Sequence, residues 1–555
     1  MMATMRTILW LLPKIFAHPL KAIFAVVLVA CAAPYTASQN EAARDNAPYN
    51  NMPYASGWRV SHQPALPVNA DDFIAPPPRR AGATIVALLF PMSDQREDVR
   101  ILANAMFNAA QMALFDSGMR SLVLSLHDTQ GTAKGAALAT REALAGGAQL
   151  ILGPLFSTSV TAAAPYLRGR NVAALAFSNN IDVLEENIWL MGFLPEQNID
   201  HIVGTAIAQG LTRFAALVPE GDFGVRTLAA LNDSLALYGG TLVDAQNYPP
   251  DGKAMFEPVR QLARFDRRKQ THEAEMQRLK AEARRLVPAA TADDEIFTAL
   301  EVRAPELVSA YETLKLSETL GEIPYDVVFI PEGGLNLRNL APLLPYFDID
   351  PKLVKFVGTG LWDDPTLAKE PPLHGAWYAA PDARNYRIFA TRYKQFFNAV
   401  PPRLAGLAYD GVALAAQLHI MNGGTNKPFE RDLLTNPNGF VGVDGIFRFL
   451  PNGYNERGLA VREITAKRPR EIDPAPTSFV EHSRRRMAVL ALTQNPAKTP
   501  PQQIDATQDI SQDRPQDTPQ DAPQNAQMGE IVPLDSNLSI LEIIDFNANL
   551  PAIQP

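Results

Sequence analysis

The residues best suited to chemistry in this chain are polar groups placed just after apolar runs. Ser93 follows the run Ile85 to Phe90 and Pro91, Gly153-Pro154 follows Leu150-Ile-Leu152, and Ser178-Asn179 follows Val172 to Phe177. Asp222-Phe223 follows Phe214 to Val218, Glu332 follows Tyr325 to Ile330, and Trp362 follows Leu353 to Val357. Tyr409-Asp410 opens an alanine-rich stretch. Hydroxyl, amide and carboxylate groups at such positions bind small ligands by hydrogen bonds, and an aromatic ring stacks on them. Some have a plainer alternative. Ser178 and Asn179 either grip a ligand or cap the following helix. Trp362 either stacks on a ligand or fills a core, and Glu332 with Asp222 could hold a cation. The eight histidines are scattered, with no His-Glu-x-x-His pair, and there is no Gly-x-Ser-x-Gly elbow and no phosphate-binding glycine loop. The expectation is a binding protein with no catalytic residues, no cofactor and no metal.

The runs themselves identify the elements that position these groups. Ile85 to Phe90 is apolar without alternation, as in a strand buried on both faces. Further strands are expected at 121–127, 150–152 and 172–177, with helical spacing over 102–114, 132–144 and 158–167 between them. Strands separated by connections this long pair in parallel. The series restarts at Phe214, so the expected fold class is α/β, with two doubly wound lobes and a cleft at the carboxyl ends of both sheets. Lobe 1 is expected over about 83–208 and 379–435, and lobe 2 over about 209–378 and 436–465. A charged helical insertion, 259–320, interrupts lobe 2, with apolar residues from Leu262 to Leu286 in heptad-like spacing and a second helix from Asp294 to Leu316.

The ends have a different character. Of 555 residues, 46 are proline, and many lie outside the α/β body. Residues 31–82 are expected to be a tether. From Ala466 to the end a disordered tail is expected, with Gln-Asp pairs every four residues from Gln508 and proline between them, which excludes helix. Ile531 to Leu550 is apolar again, either a docking peptide or a segment that folds back. A net charge of −9 argues against nucleic acid as a partner. Cys31 is the only cysteine, so no internal disulfide and no cysteine-cluster zinc site is available. It ends an apolar stretch, Ala22 to Ala30, which follows Arg6, Lys14 and Lys21 and is shorter than the ~20 residues of a membrane span.

Leu28-Val-Ala-Cys31 resembles a bacterial lipobox, which implies a signal peptide at 1–30, lipidation of Cys31 and a periplasm-facing protein held to a membrane by its lipid. Ala32, where an aspartate often marks inner-membrane retention, makes the outer membrane the expected one. Leu152-Gly-Pro154, Ala176-Phe-Ser178, Tyr409-Asp-Gly411 and above all Asn438 to Gly453 (Gly439-Phe440, Gly442, Gly445, Phe447, Phe449, Asn452-Gly453) are similar to the type I periplasmic-binding fold of the leucine-binding, receptor-ligand family. The insertion opening Phe265-Asp-Arg-Arg268 and Pro331-Glu-Gly-Gly334 resemble one branch of it, the lipoprotein activators of penicillin-binding proteins. That resemblance implies a regulator of peptidoglycan synthesis whose partner is a penicillin-binding protein. The helical-repeat domain of larger members does not precede this body, so any contact made by that domain is expected to be absent or replaced. The alternative is a transport-type receptor for an amino acid or other small molecule. Ser178-Asn179-Asn180 lacks the threonine usual in that branch, which counts against an amino acid. The expected cleft set is Ser93, Gly153, Pro154, Ser178, Asn179, Asp222, Phe223, Glu332, Trp362 and Tyr409.

Overall fold

A computed structural model describes residues 83–290, 292–317, 319–423 and 429–493. Cys31, the signal-like segment, the tether, the Gln-Asp repeats and the apolar end segment lie outside the described residues. Among those described, no helix is long and apolar enough to cross a membrane.

The first sheet contains β1 (Thr84–Phe90), β2 (Leu122–Asp128), β3 (Leu150–Leu152), β4 (Ala173–Ala176) and β5 (Ile188–Leu190) in the order β2-β1-β3-β4-β5. All four pairings are parallel. The apolar run of β1 is unbroken because successive side chains enter opposite cores. Val86, Leu88 and Phe90 pack with the helices Glu97–Ser117 and Ala405–Met421, whereas Ala87 and Leu89 pack with Ala133–Ala145 and Ser157–Leu167.

The second lobe repeats the plan. Strands β6 (Arg213–Pro219), β7 (Thr241–Tyr248), β8 (Val327–Phe329), β9 (Lys355–Gly358) and β10 (Trp377–Pro381) are parallel. A separate antiparallel sheet follows in the chain: β11 (Phe440–Gly442), β12 (Gly445–Phe449) and β13 (Asn455–Arg457). Then β14 (Leu459–Glu463) adds antiparallel to β10 and β15 (Arg470–Asp473) antiparallel to β14, giving the order β15-β14-β10-β9-β8-β6-β7. This is the expected α/β class with two parallel-sheet lobes.

Several boundaries differ from expectation. The helix Pro195–Ala208, expected in lobe 1, buries Ile199, Ile202 and Val203 against Phe214 and Val218 of lobe 2. Conversely β11 to β13, expected in lobe 2, insert Phe440, Phe447 and Phe449 into the lobe 1 core. The expected tail begins too early: after Ala466 come β15 and a helix, Phe479–Thr493, that packs Val489 and Leu490 onto lobe 2.

The insertion also departs from a coiled-coil hairpin. Leu262 and Phe265 join the lobe 2 core, and Leu286 is exposed. The second helix is broken into Asp293–Leu300 and Pro305–Lys315, because Pro305 starts a new helix where its missing N–H costs nothing. Leu279, Ala283, Ile296, Phe297, Leu300 and Tyr311 form a small core of their own.

Candidate functional site

The carboxyl ends of β1, β3 and β4 come together as expected. Gly153 has φ +107, and a Cβ there would lie 2.5 Å from the Leu89 carbonyl oxygen, so only glycine fits the turn. The Pro154 carbonyl accepts from Phe177 N–H at 3.0 Å, which sets the Gly153-Pro154 turn beside the Ser178 loop. Ser93 Oγ donates to Asp128 Oδ2 at 2.5 Å, joining the ends of β1 and β2. The Arg96 guanidinium stacks 4.9 Å over Phe156 and links that corner to the Pro154 turn.

Ser178 and Asn179 are buried. Neither caps the next turn by its side chain; Asn180 does, accepting from Asp182 N–H at 3.0 Å. Ser178 Oγ accepts from Asn180 N–H at 3.1 Å and stiffens the loop. Asn179 Oδ1 is buried without a hydrogen-bond partner.

Facing this loop from lobe 2 is Arg226, in the helix Asp222–Tyr238. Its Nη2 donates to the Asn179 carbonyl oxygen at 2.9 Å and to Glu196 Oε1 at 2.9 Å. Glu196 lies in the first turn of the Pro195–Ala208 helix, and its Oε2 is also buried without a partner. Asp222 and Phe223 begin the helix that carries Arg226, one turn before it. The site between the lobes therefore presents two unmet acceptors around an anchored guanidinium. An acceptor buried without a donor costs about 1–3 kcal/mol.

Two expected residues, Trp362 and Tyr409, do not join this group. Trp362 is 1% exposed, packs in the lobe 2 core and donates from Nε1 to the Glu332 carbonyl at 2.8 Å, so it does not stack on a ligand. Glu332 accepts from Tyr248 OH at 2.8 Å and from Gly333 N–H at 3.0 Å, which ties it to the end of β7. No group of carboxylates, histidines or cysteines able to hold a metal occurs among the described residues. Tyr409 lies away from the cleft, donating to Asp116 Oδ2 at 2.7 Å and packing edge-on against Phe389. There it lines a separate recess of about 250 Å³ with Met112, Ile388 and Val441.

The hinge carries a buried charge network. Arg457 Nη2 donates to the Met191 carbonyl at 2.7 Å, and its guanidinium lies 4.9 Å over the Phe193 ring. Arg403 reaches Asp444 at 2.6 Å, a close ion pair that lacks hydrogen-bond alignment, and Asp363 at 3.5 Å. Arg462 donates to Asp363 at 2.8 Å and to the Pro381 carbonyl at 2.7 Å. Asp410 accepts from Val443 N–H at 2.8 Å. Burial, then the neighbouring Asp444, pushes Asp410 up to about 7. Asp444 is also raised by burial, against the pull of Arg403 and Arg457.

Arg226, Glu196, Asp444 and Arg457 lie outside the set expected from sequence. No local spacing around Arg226 or Glu196 signals a contact between lobes.

The two parallel-sheet lobes joined by a hinge are the type I periplasmic-binding fold. The family described as periplasmic binding protein matches residues 86–265. The chain is similar to the crystal structure of a putative branched-chain amino acid ABC transporter from Rhodospirillum rubrum, with 16% identity over 70% of this chain and 100% of that one and a TM-score of 0.52. It is also similar to a branched-chain amino acid ABC transporter periplasmic ligand-binding protein from Burkholderia xenovorans LB400, with 15% identity over 71% of this chain and 95% of that one and a TM-score of 0.49. A third is the solute-binding protein of an ABC transporter from Rhodopseudomonas palustris BisB5, in complex with 3,4-dihydroxybenzoic acid, with 16% identity, coverage of 72% and 97% and a TM-score of 0.45. No curated protein matches the chain. The fold is thus one shared with ABC transporter substrate-binding proteins.

Proposed function

We propose that this chain is a periplasmic solute-binding protein that holds a small, donor-bearing ligand between its lobes. The observation that carries the reading is the pair of buried, unmet acceptors, Asn179 Oδ1 and Glu196 Oε2, on the two residues that Arg226 bridges. A ligand with ammonium or hydroxyl groups satisfies both, and its binding favours the closed arrangement of the lobes. Cys31 supplies a lipid anchor to the outer membrane, in keeping with the lipobox-like residues that precede it. Thermal-shift screening of the full chain against amino acids, sugars, polyamines and aromatic acids tests the reading. A specific ligand is expected to raise Tm by mass action; a panel without effect counts against it.

The second reading is activation of a penicillin-binding protein through the helical insertion. It is favoured by the insertion's separate core, which leaves Val302 at 92% and Leu316 at 74% exposure. Crosslinked co-purification from a periplasmic extract, comparing the intact chain with one lacking 259–320, separates it from the first. Enrichment of a synthase that depends on 259–320 favours this second reading.

A further inference from the structure

The helix Phe479–Thr493 touches both lobes. At its start Phe479 is buried on the β11 to β13 sheet of lobe 1, with the Arg448 guanidinium 4.3 Å over its ring. Gly439 comes so close that a Cβ there would lie 2.5 Å from Phe479 Cε2. His482 Nε2 is 3.1 Å from Glu456 Oε1 of β13, and Arg448 Nε holds the other oxygen of that carboxylate at 2.7 Å.

The remainder lies on lobe 2. Arg485 is 3.3 Å from Asp473 of β15, and Arg486 is 3.3 Å from Asp200 of the Pro195–Ala208 helix. Val489 and Leu490 pack on the cluster built by Ile199, Ile202 and Val203. The crossing is at the hinge: Arg457, next to Glu456, bonds through its N–H to Gln197 Oε1 at 3.1 Å, and Gln197 is three residues from Asp200.

We infer that this helix is a strap that sets the angle between the lobes and thereby the affinity of the site between them. A rigid helix pinned at both ends cannot follow a rotation of one lobe about the hinge. Opening must break either the Phe479–His482 seat or the Arg486 seat, so the strap biases the pair towards the arrangement in which Arg226 meets Asn179. The affinity half of this inference rests on the solute-binding reading above; the angular half does not.

The test uses the full chain with Cys31→Ser and one spin label per lobe, at Thr161→Cys and Asn232→Cys, both exposed. Interlobe distances are read by pulsed dipolar spectroscopy without ligand. His482→Ala, which loosens the seat on lobe 1, and Arg486→Ala, which loosens the seat on lobe 2 one turn further on, are each expected to broaden the distribution. Either variant alone carries the test if the other fails to fold. Ligand affinity is expected to fall by about fivefold, the lower end of coupling between sites. Folded variants with an unchanged distribution overturn the strap. A broadened distribution in a chain that binds no ligand leaves the strap standing and removes the solute-binding reading.

Discussion

Arg226 Nη2 lies 2.9 Å from the carbonyl oxygen of Asn179, and this bond ties a helix of lobe 2 to the loop that ends β4 in lobe 1. The same guanidinium neutralises Glu196, whose side chain is 23% exposed. Replacing Arg226 with Ala removes the bridge and leaves Glu196 with no counter-charge. The expected cost is about 1–3 kcal/mol, read as a lower urea midpoint, together with weaker ligand binding.

Asn179→Ala is expected to separate stability from binding. Asn179 Oδ1 has no partner, and the Arg226 bond uses the backbone carbonyl, which alanine keeps. Removing an unpaired buried acceptor relieves its desolvation cost of about 1–3 kcal/mol. Urea denaturation should therefore show equal or greater stability, while calorimetry shows ligand binding reduced or lost.

Trp362→Ala is expected to do the reverse. The ring is fully packed among Ile330, Leu367 and Leu373 and makes a hydrogen bond to the Glu332 carbonyl. Large-to-small replacement of such a residue costs about 3–5 kcal/mol. The fraction that remains folded should bind ligand with unchanged affinity, since the indole does not face the site.

The pH dependence of stability has two windows with opposite slopes. Asp410 is raised from 3.8 to about 7 by burial and by Asp444, with Val443 N–H and Arg457 opposing. The folded chain keeps a proton there that the unfolded chain releases, so this contribution is full below about pH 3.8 and is lost as pH rises through 7. Burial pushes Glu456 up, but His482 and Arg448 outweigh it and hold it at about 2. Its contribution is full above its ordinary 4.5 and is lost as pH falls towards 2. Urea midpoints measured across this range should flatten between pH 4 and 7 in Asp410→Asn, and below pH 4.5 in Glu456→Gln.

The elements whose pattern is local were readable in the sequence. Ile85 to Phe90 and Phe214 to Val218 are apolar throughout because helices cover both faces, and that composition alone points to parallel strands. The glycine at 153 is required by a turn that approaches Leu89, and it too was visible. What could not be read depends on contacts between distant segments. The Asn438 to Gly453 segment carries a recognisable pattern, yet nothing in its spacing says that Phe447 and Phe449 enter the lobe 1 core. The strap helix is rich in arginine, which locally suggests a solvated segment; its order comes from Asp200, Asp473 and Glu456 on other elements. Trp362 and Tyr409 follow strands or open helices as ligand-binding residues do, and only packing reveals that one fills a core and the other an outer recess.

The proposed ligand site lies between the lobes at Asn179, Glu196 and Arg226. Calorimetric titration of the full chain with the best compound from the thermal-shift panel, alongside Asn179→Ala and Arg226→Ala, tests it most directly. Saturable binding with one ligand per chain is expected, and both substitutions should weaken it by at least about tenfold, the loss of roughly one good hydrogen bond in a buried site. Binding that neither substitution affects would contradict it.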